Sequence, residues 1–237
     1  MLLGNLSKPF YSITDLIFPE LCPCCQHSRP MRNHIICLSC LSDLPFTGHE
    51  KYPKENETAI TFWGRIPLKG ACSIFYFNPK GKIRNVLHRI KYEGRKDIAI
   101  EMGKLMGQYL KKAKEIRKAD LILPVPLHPK RKATRGFNQS DFLAKGLSLR
   151  TGIPWTADAV IRTRDNPTQT KLSRELRFEN TNQLFRVTKA SAIKNKHIIL
   201  LDDVITTGAT LESFAEIVLK AEAASVSIVT LACGELM

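Results

Sequence analysis

Two adjacent carboxylates, Asp202 and Asp203, follow an apolar run from Ile198 to Leu201 and precede a small, hydroxyl-rich segment, Thr206-Thr207-Gly208-Ala209-Thr210. The run reads as a buried strand, and the chain after Thr206 reads as the opening of a helix. In an open α/β sheet, ligands bind at the carboxyl ends of strands. Exposed N–H groups at a helix start, reinforced by the helix dipole, favour a phosphate there. Gly208 lets the backbone approach closely, and the three threonines add hydroxyl donors. A ribose 5-phosphate answers both halves of the pattern. Its phosphate would lie on Thr206–Thr210 and its vicinal hydroxyls would donate to Asp202 and Asp203. The same carboxylates could hold Mg²⁺, directly or through water, because hard cations prefer oxygen. Either half alone could be a plain turn or helix cap. Their combination at the end of one strand points to a site.

A second constellation is metal-binding. Cys22 and Cys25 form one C-x-x-C pair, and Cys37 and Cys40 form another. Two such knuckles aim four thiolates at one point and complete a closed tetrahedral zinc site, with no position left for substrate. Zn²⁺ there would serve folding rather than chemistry. Cys24 falls outside the spacing and is the less favoured ligand. A disulfide framework is disfavoured, because the N-terminus has neither a basic start nor an unbroken apolar block.

Anion chemistry is also written into the charge. The chain carries 36 Lys and Arg against 22 Asp and Glu, and residues 61–197 hold 30 of the bases but only 10 of the acids. Such a field attracts phosphate-rich ligands, nucleic acid or an acidic partner, although a solvated surface is the simpler reading for any one residue. Arg131, Lys132 and Arg135 cluster just after the short apolar run 121–125. Residues 160–187 carry Arg162, Arg164, Lys171, Arg174, Arg177 and Arg186 in a long polar stretch suited to a hairpin or loop hood. Tyr92, Phe137 and Phe178 lie near cations and offer a weak signal for stacking on single-stranded DNA.

The remaining elements must position these groups. With 237 residues and 43% hydrophobic content, the chain has room for one α/β domain and a small appendage. Strands are expected at 71–77, 121–125, 197–201 and 226–232. Helices are expected around Ile83–Ile90, Ile98–Ala113, Phe137–Leu149 and Thr207–Ala221. This alternation predicts a mainly parallel sheet with crossover helices. Val125–Pro126 is a candidate for a cis bond. Leu3, Leu6, Phe10, Ile13 and Ile17 recur at helical spacing and suggest an amphipathic docking helix. Residues 46–60 are polar and read as a linker or surface loop, dividing a zinc module at 1–60 from an α/β domain at 61–237. No apolar run approaches the roughly 20 residues needed to span a bilayer, so a cytoplasmic protein is expected.

The strand, paired acids and Thr-Thr-Gly-x-Thr loop resemble the 5-phosphoribosyl pyrophosphate (PRPP) motif of type I phosphoribosyltransferases. Other segments resemble the ComF/GntX family in the same order: the cysteine knuckles, His88-Arg-Ile-Lys91-Tyr92, Pro124–His128, Arg135-Gly-Phe-Asn138-Gln139, and the pattern Gln169, Leu172, Arg174, Arg177, Asn180 and Phe185. The resemblance implies a type I phosphoribosyltransferase-like fold with an N-terminal zinc-ribbon-like module. It implies PRPP with Mg²⁺ as ligand, and it places pyrophosphate against Leu127, His128, Arg131 and Arg135. It makes residues 160–187 a loop closing over PRPP, with Arg174 and Arg177 as anion contacts. It also implies a link to natural competence, with single-stranded DNA and competence proteins as partners. Whether the protein turns PRPP over or only binds it stays open at this level.

Overall fold

The structure, a computed structural model, describes residues 20–31, 35–163 and 184–234. The amphipathic stretch Leu3–Ile17 and the arginines Arg174 and Arg177 lie outside the described residues. Four parallel strands form the central sheet: β1 (Leu68–Phe77), β2 (Leu121–Pro124), β5 (His197–Ile205) and β6 (Ser225–Gly234), in the order β1-β6-β5-β2. A short antiparallel pair, β3 (Val160–Arg162) with β4 (Phe185–Val187), closes the base of the expected hairpin. The mainly parallel α/β architecture is therefore present. Among the described residues no helix is long and apolar enough to cross a membrane.

Alternation along β5 builds the two faces of the core. Ile199 and Leu201 pack with the helices α3 (Lys82–Tyr92), α4 (Lys96–Leu110) and α6 (Gln139–Thr151). Ile198 and Leu200 pack with α7 (Ala209–Lys220) and the β3–β4 pair. On α3 the buried residues Ile83, Val86, Leu87 and Ile90 follow the helical repeat.

Helices α4 and α6 meet backbone to backbone. A Cβ on Gly146 would sit 1.9 Å from the Ile100 carbonyl oxygen, and one on Gly103 would sit 2.2 Å from that of Leu143. Only glycine fits at either position. This contact sets the height of the α6 N-terminus, and hence of the residues it presents to the end of β5.

The small N-terminal module rests on α3. It contains α1 (Leu38–Ser42), and its Cys22, Cys24, Ile36, Cys37, Cys40 and Leu44 belong to the same core as Ile83 and Val86. Asn85 donates to the Cys24 carbonyl at 3.0 Å, and Lys82 pairs with Asp43 at 2.6 Å.

Residues 46–60, expected to be a linker or surface loop, pack along β1. Phe46 bridges Phe75, Ala71 N–H donates to the Pro53 carbonyl at 2.7 Å, and α2 (Glu57–Ile60) is capped by Asn56. His49, Asn56 and Thr58 of this segment are buried and hydrogen-bonded, while Lys51, Lys54 and Glu55 stay exposed. His49 pairs with Glu57 at 2.6 Å, Thr58 bonds Ser73 at 2.7 Å, and Ser73 bonds Thr230 at 2.6 Å. For these buried residues, polarity reflects internal pairing.

Three other expectations change. The strand at 197–201 runs on to Ile205, because β6 continues to pair with it as far as Ile205 opposite Cys233. Residues after His128 form a helix, α5 (Pro129–Arg135), with Pro129 at its start, the His128 ring capping Lys130 N–H, and Gly136 ending it at φ +77°. No described peptide bond is cis, so Val125–Pro126 is trans.

Candidate functional site

The site lies at the carboxyl end of β5, where α6, α7 and the chain around α2 converge. Asp202 and Asp203 stand in the last half of β5, which ends at Ile205, and Thr206 and Thr207 lead to Gly208, the residue capping α7. Asp202, Val204, Thr206, Thr207, Gly208, Ala209 and Thr210 line one concavity of about 60 Å³. The structure thus brings together Asp202 and the whole predicted loop. Gly208 has φ +78°, a left-handed conformation that suits glycine. A Cβ there would also lie 3.0 Å from the Phe62 ring and 3.1 Å from Thr61 Cγ2. Phe62, fully buried, therefore forms the floor under the loop. Arg65 ties this segment to Glu212 in the first turn of α7.

The two acids differ in role. Asp202 makes its described contacts through Oδ1, which accepts from Ser140 Oγ at 3.1 Å and from Asp203 N–H at 2.8 Å. Burial, and then the neighbouring Asp203 carboxylate, push the Asp202 carboxyl up to about 7. Asp203 is only 6% exposed and faces α3 and α6. Its Oδ2 pairs with Lys91 Nζ at 2.7 Å and accepts from Gln139 Nε2 at 3.2 Å. Its Oδ1 accepts from Val204 N–H at 2.7 Å.

Beyond Lys91 lies a basic recess of about 370 Å³, lined by Lys91, Tyr92, Gly94, Lys130, Arg131, Thr134 and Arg135. Arg135 stacks over Tyr92 at 5.7 Å and donates to Gln139 Oε1 at 3.2 Å. The recess and the acids are thus joined through both Lys91 and Gln139. Of the residues expected on the anion side, Arg131 and Arg135 line the recess. Leu127 and His128 lie on the loop leading into α5 and are not part of its wall. Lys91, Gln139, Ser140 and Phe62 had no assigned role in the sequence pattern. Lys91 does carry one signal, a lysine directly after the last buried residue of an amphipathic helix.

The four cysteines also converge. The Sγ atoms of Cys22, Cys25, Cys37 and Cys40 all lie within 4.8 Å of one another, and those of Cys25 and Cys37 are 3.9 Å apart. Tetrahedral Zn–S bonds of about 2.3 Å separate sulfurs by about 3.8 Å, so the set fits a zinc ion. The N–H groups of His27 and Ser28 pull the Cys25 thiol down to about 6. Cys24 sits outside the cluster, and burial pushes its thiol far up, as expected of a structural cysteine.

A parallel sheet with paired acids and a threonine-rich loop at one strand end defines a phosphoribosyltransferase-like class. Residues 96–234 match the family model for the phosphoribosyl transferase domain, and the chain belongs to that family. The DNA utilization protein YhgH of Escherichia coli K12 is 34% identical over 146 residues, which cover 60% of this chain and 63% of that protein. The chain therefore spans less than two thirds of that relative. Competence protein F of Haemophilus influenzae is 25% identical over 84% of this chain and 90% of its own length. Competence protein ComFC of Bacillus subtilis is 29% identical over 90% of this chain and 77% of its own length. The domain and these likenesses together identify a ComF-family, phosphoribosyltransferase-like protein.

Proposed function

We propose that the protein binds PRPP, with the ribose 5-phosphate in the concavity at Asp202 and Thr206–Thr210 and the diphosphate toward Arg131 and Arg135, and that it acts in DNA uptake or nucleotide metabolism. One observation carries this reading. A small, hydroxyl-rich loop at a helix start, an acid, Asp202, lining the same concavity, and a basic recess follow one another across the end of the sheet. The 5-phosphate would take the start of α7, and a ribose hydroxyl would donate to Asp202. Mg²⁺, held by carboxylate oxygen directly or through water, would offset the charge of the diphosphate. On sequence grounds alone, Arg174 and Arg177 would add anion contacts from the hood.

Phosphoribosyl transfer in such a site is a matter of positioning. The protein would hold the ribose while pyrophosphate departs into the recess, and fixed charges would stabilise the transition state. The nucleophile would be the acceptor itself. Calorimetric titration of the full chain with PRPP, with and without Mg²⁺, tests the reading. Asp202→Ala should weaken binding roughly tenfold or more, the loss of a charged hydrogen bond. Unchanged affinity in that variant refutes the assignment. Pyrophosphate release with a panel of bases then tests turnover.

A second reading, binding of single-stranded DNA, is supported by Tyr92, which is 67% exposed and backed by Arg135 beside the basic recess. The relatives named for DNA utilization and competence agree with it. Salt-dependent DNA binding that survives Asp202→Ala but falls in Tyr92→Ala would support a nucleic-acid face; no binding at low salt would dismiss it.

A further inference from the structure

Asp203 is already engaged. A carboxylate oxygen offers two lone-pair directions, and Oδ2 meets Lys91 Nζ at 2.7 Å and Gln139 Nε2 at 3.2 Å. A ribose hydroxyl can reach that oxygen only by displacing one of them. Gln139 is held from behind by Arg135. Lys91 is less confined: its side chain is 22% exposed and forms one wall of the basic recess. Among the described residues no acid lines that recess, and Lys130, Arg131 and Arg135 share it. A lysine ammonium is a compact charge with three rotatable donors on a flexible stem, well suited to changing partners.

We infer that Lys91 is a positioning residue that exchanges partners: it neutralises Asp203 while the recess is free, and turns to a second anionic group of the ligand when one enters, releasing Asp203 Oδ2 for a ribose hydroxyl. The inference deepens the proposed function and rests on its ribose-phosphate reading. It makes the site selective for a sugar phosphate that carries a diphosphate on the recess side. A plain ribose 5-phosphate leaves Lys91 on Asp203 and finds Oδ2 closed to its hydroxyls. The selectivity arises because the recess anion and the Asp203 carboxylate compete for one ammonium, so filling the recess frees Asp203 Oδ2 for the hydroxyl.

Inorganic pyrophosphate is the probe, because it can enter the recess without a ribose. Calorimetry on the full chain should show Lys91→Met weakening pyrophosphate roughly tenfold to a hundredfold, the loss of a charge-assisted contact, with Lys91→Arg recovering most of it. In protein labelled with ¹³C at the aspartate carboxyls, pyrophosphate should move the Asp203 resonance of the unmodified protein and leave it in place in Lys91→Met. A lysine that merely props up the fold would produce no such movement, and the unmodified protein alone suffices for this arm if the variant fails to fold. The proposal is overturned by any of three results: pyrophosphate that does not bind, binding that is equal in Lys91→Met, or an Asp203 signal that stays put. Failure of the ribose-phosphate reading looks different. Pyrophosphate would still bind and shift Asp203, while PRPP and ribose 5-phosphate would bind indifferently to Asp202→Ala and Thr207→Ala.

Discussion

Replacing Gly208 by alanine strikes the floor and the conformation of the cradle together, and the two costs can be separated. The left-handed backbone at φ +78° costs a residue with a Cβ about 1–2 kcal/mol. The new Cβ would also lie 3.0 Å from two ring carbons of Phe62, which is fully buried and has little room to retreat. Overpacking of this kind costs about 1 kcal/mol or more. A combined loss of about 2–3 kcal/mol corresponds to a melting temperature lower by roughly 4–12 °C for a chain of this size. Thermal denaturation followed by circular dichroism measures it. Adding Phe62→Leu should recover the steric share, after correction for its own effect, and leave the backbone share. A Gly208→Ala protein that melts with the unmodified one, or a double variant with no recovery, refutes the placement of Phe62 beneath the loop.

Three further outcomes follow from the same geometry. The Asp202 carboxyl is raised in the fold, so its ionisation opposes folding increasingly between its unfolded value near pH 4 and about pH 7; Asp202→Asn should therefore be more stable than the unmodified protein at pH 8, with the gain fading near pH 4, in denaturant titrations at both values. Each chain should release about one zinc when its thiols are titrated with a mercurial, and Cys37→Ser should abolish the metal while Cys24→Ala keeps it; metal loss in Cys24→Ala would overturn the ligand set. Gly146→Ala should cost about 1–3 kcal/mol or more and weaken PRPP, because its Cβ would force α6 from the Ile100 carbonyl; unaltered stability would contradict the close helix contact.

What could be read from the sequence was local. The cysteine knuckles depend on spacing of a few residues, and the strand, acids and loop of β5 and α7 are contiguous, so both were visible without a fold. The strand's true end was not. Paired acids suggest a break, yet Asp203 stays in the strand because Lys91 and Gln139 compensate its burial. Gln139 lies 64 residues from Asp203 in the chain, and no periodicity reports such a meeting. Residues 46–60 misled for a related reason: His49, Glu57 and Thr58 look like surface residues until His49 pairs with Glu57, and Ser73, itself bonded to Thr230 of β6, arrives from β1 to bond Thr58. Helix α5 was hidden by its charge, since Lys130, Arg131, Lys132 and Arg135 leave it without a buried stripe.

The glycine contact between α4 and α6 bears on the thermodynamics of binding. Where two helices touch through side chains, rotamers leave slack, and a ligand must spend part of its interaction in removing it. Gly103 and Gly146 meet with no side chain between them, and at the start of α6 Asn138 is tied to the Val125 carbonyl, Gln139 to Arg135 and Ser140 to Asp202. Gln139 and Ser140 would therefore meet the proposed ligand already ordered. On the proposed reading, the entropic cost of binding would fall on Lys91, leaving the acids and their supports as a stationary anvil.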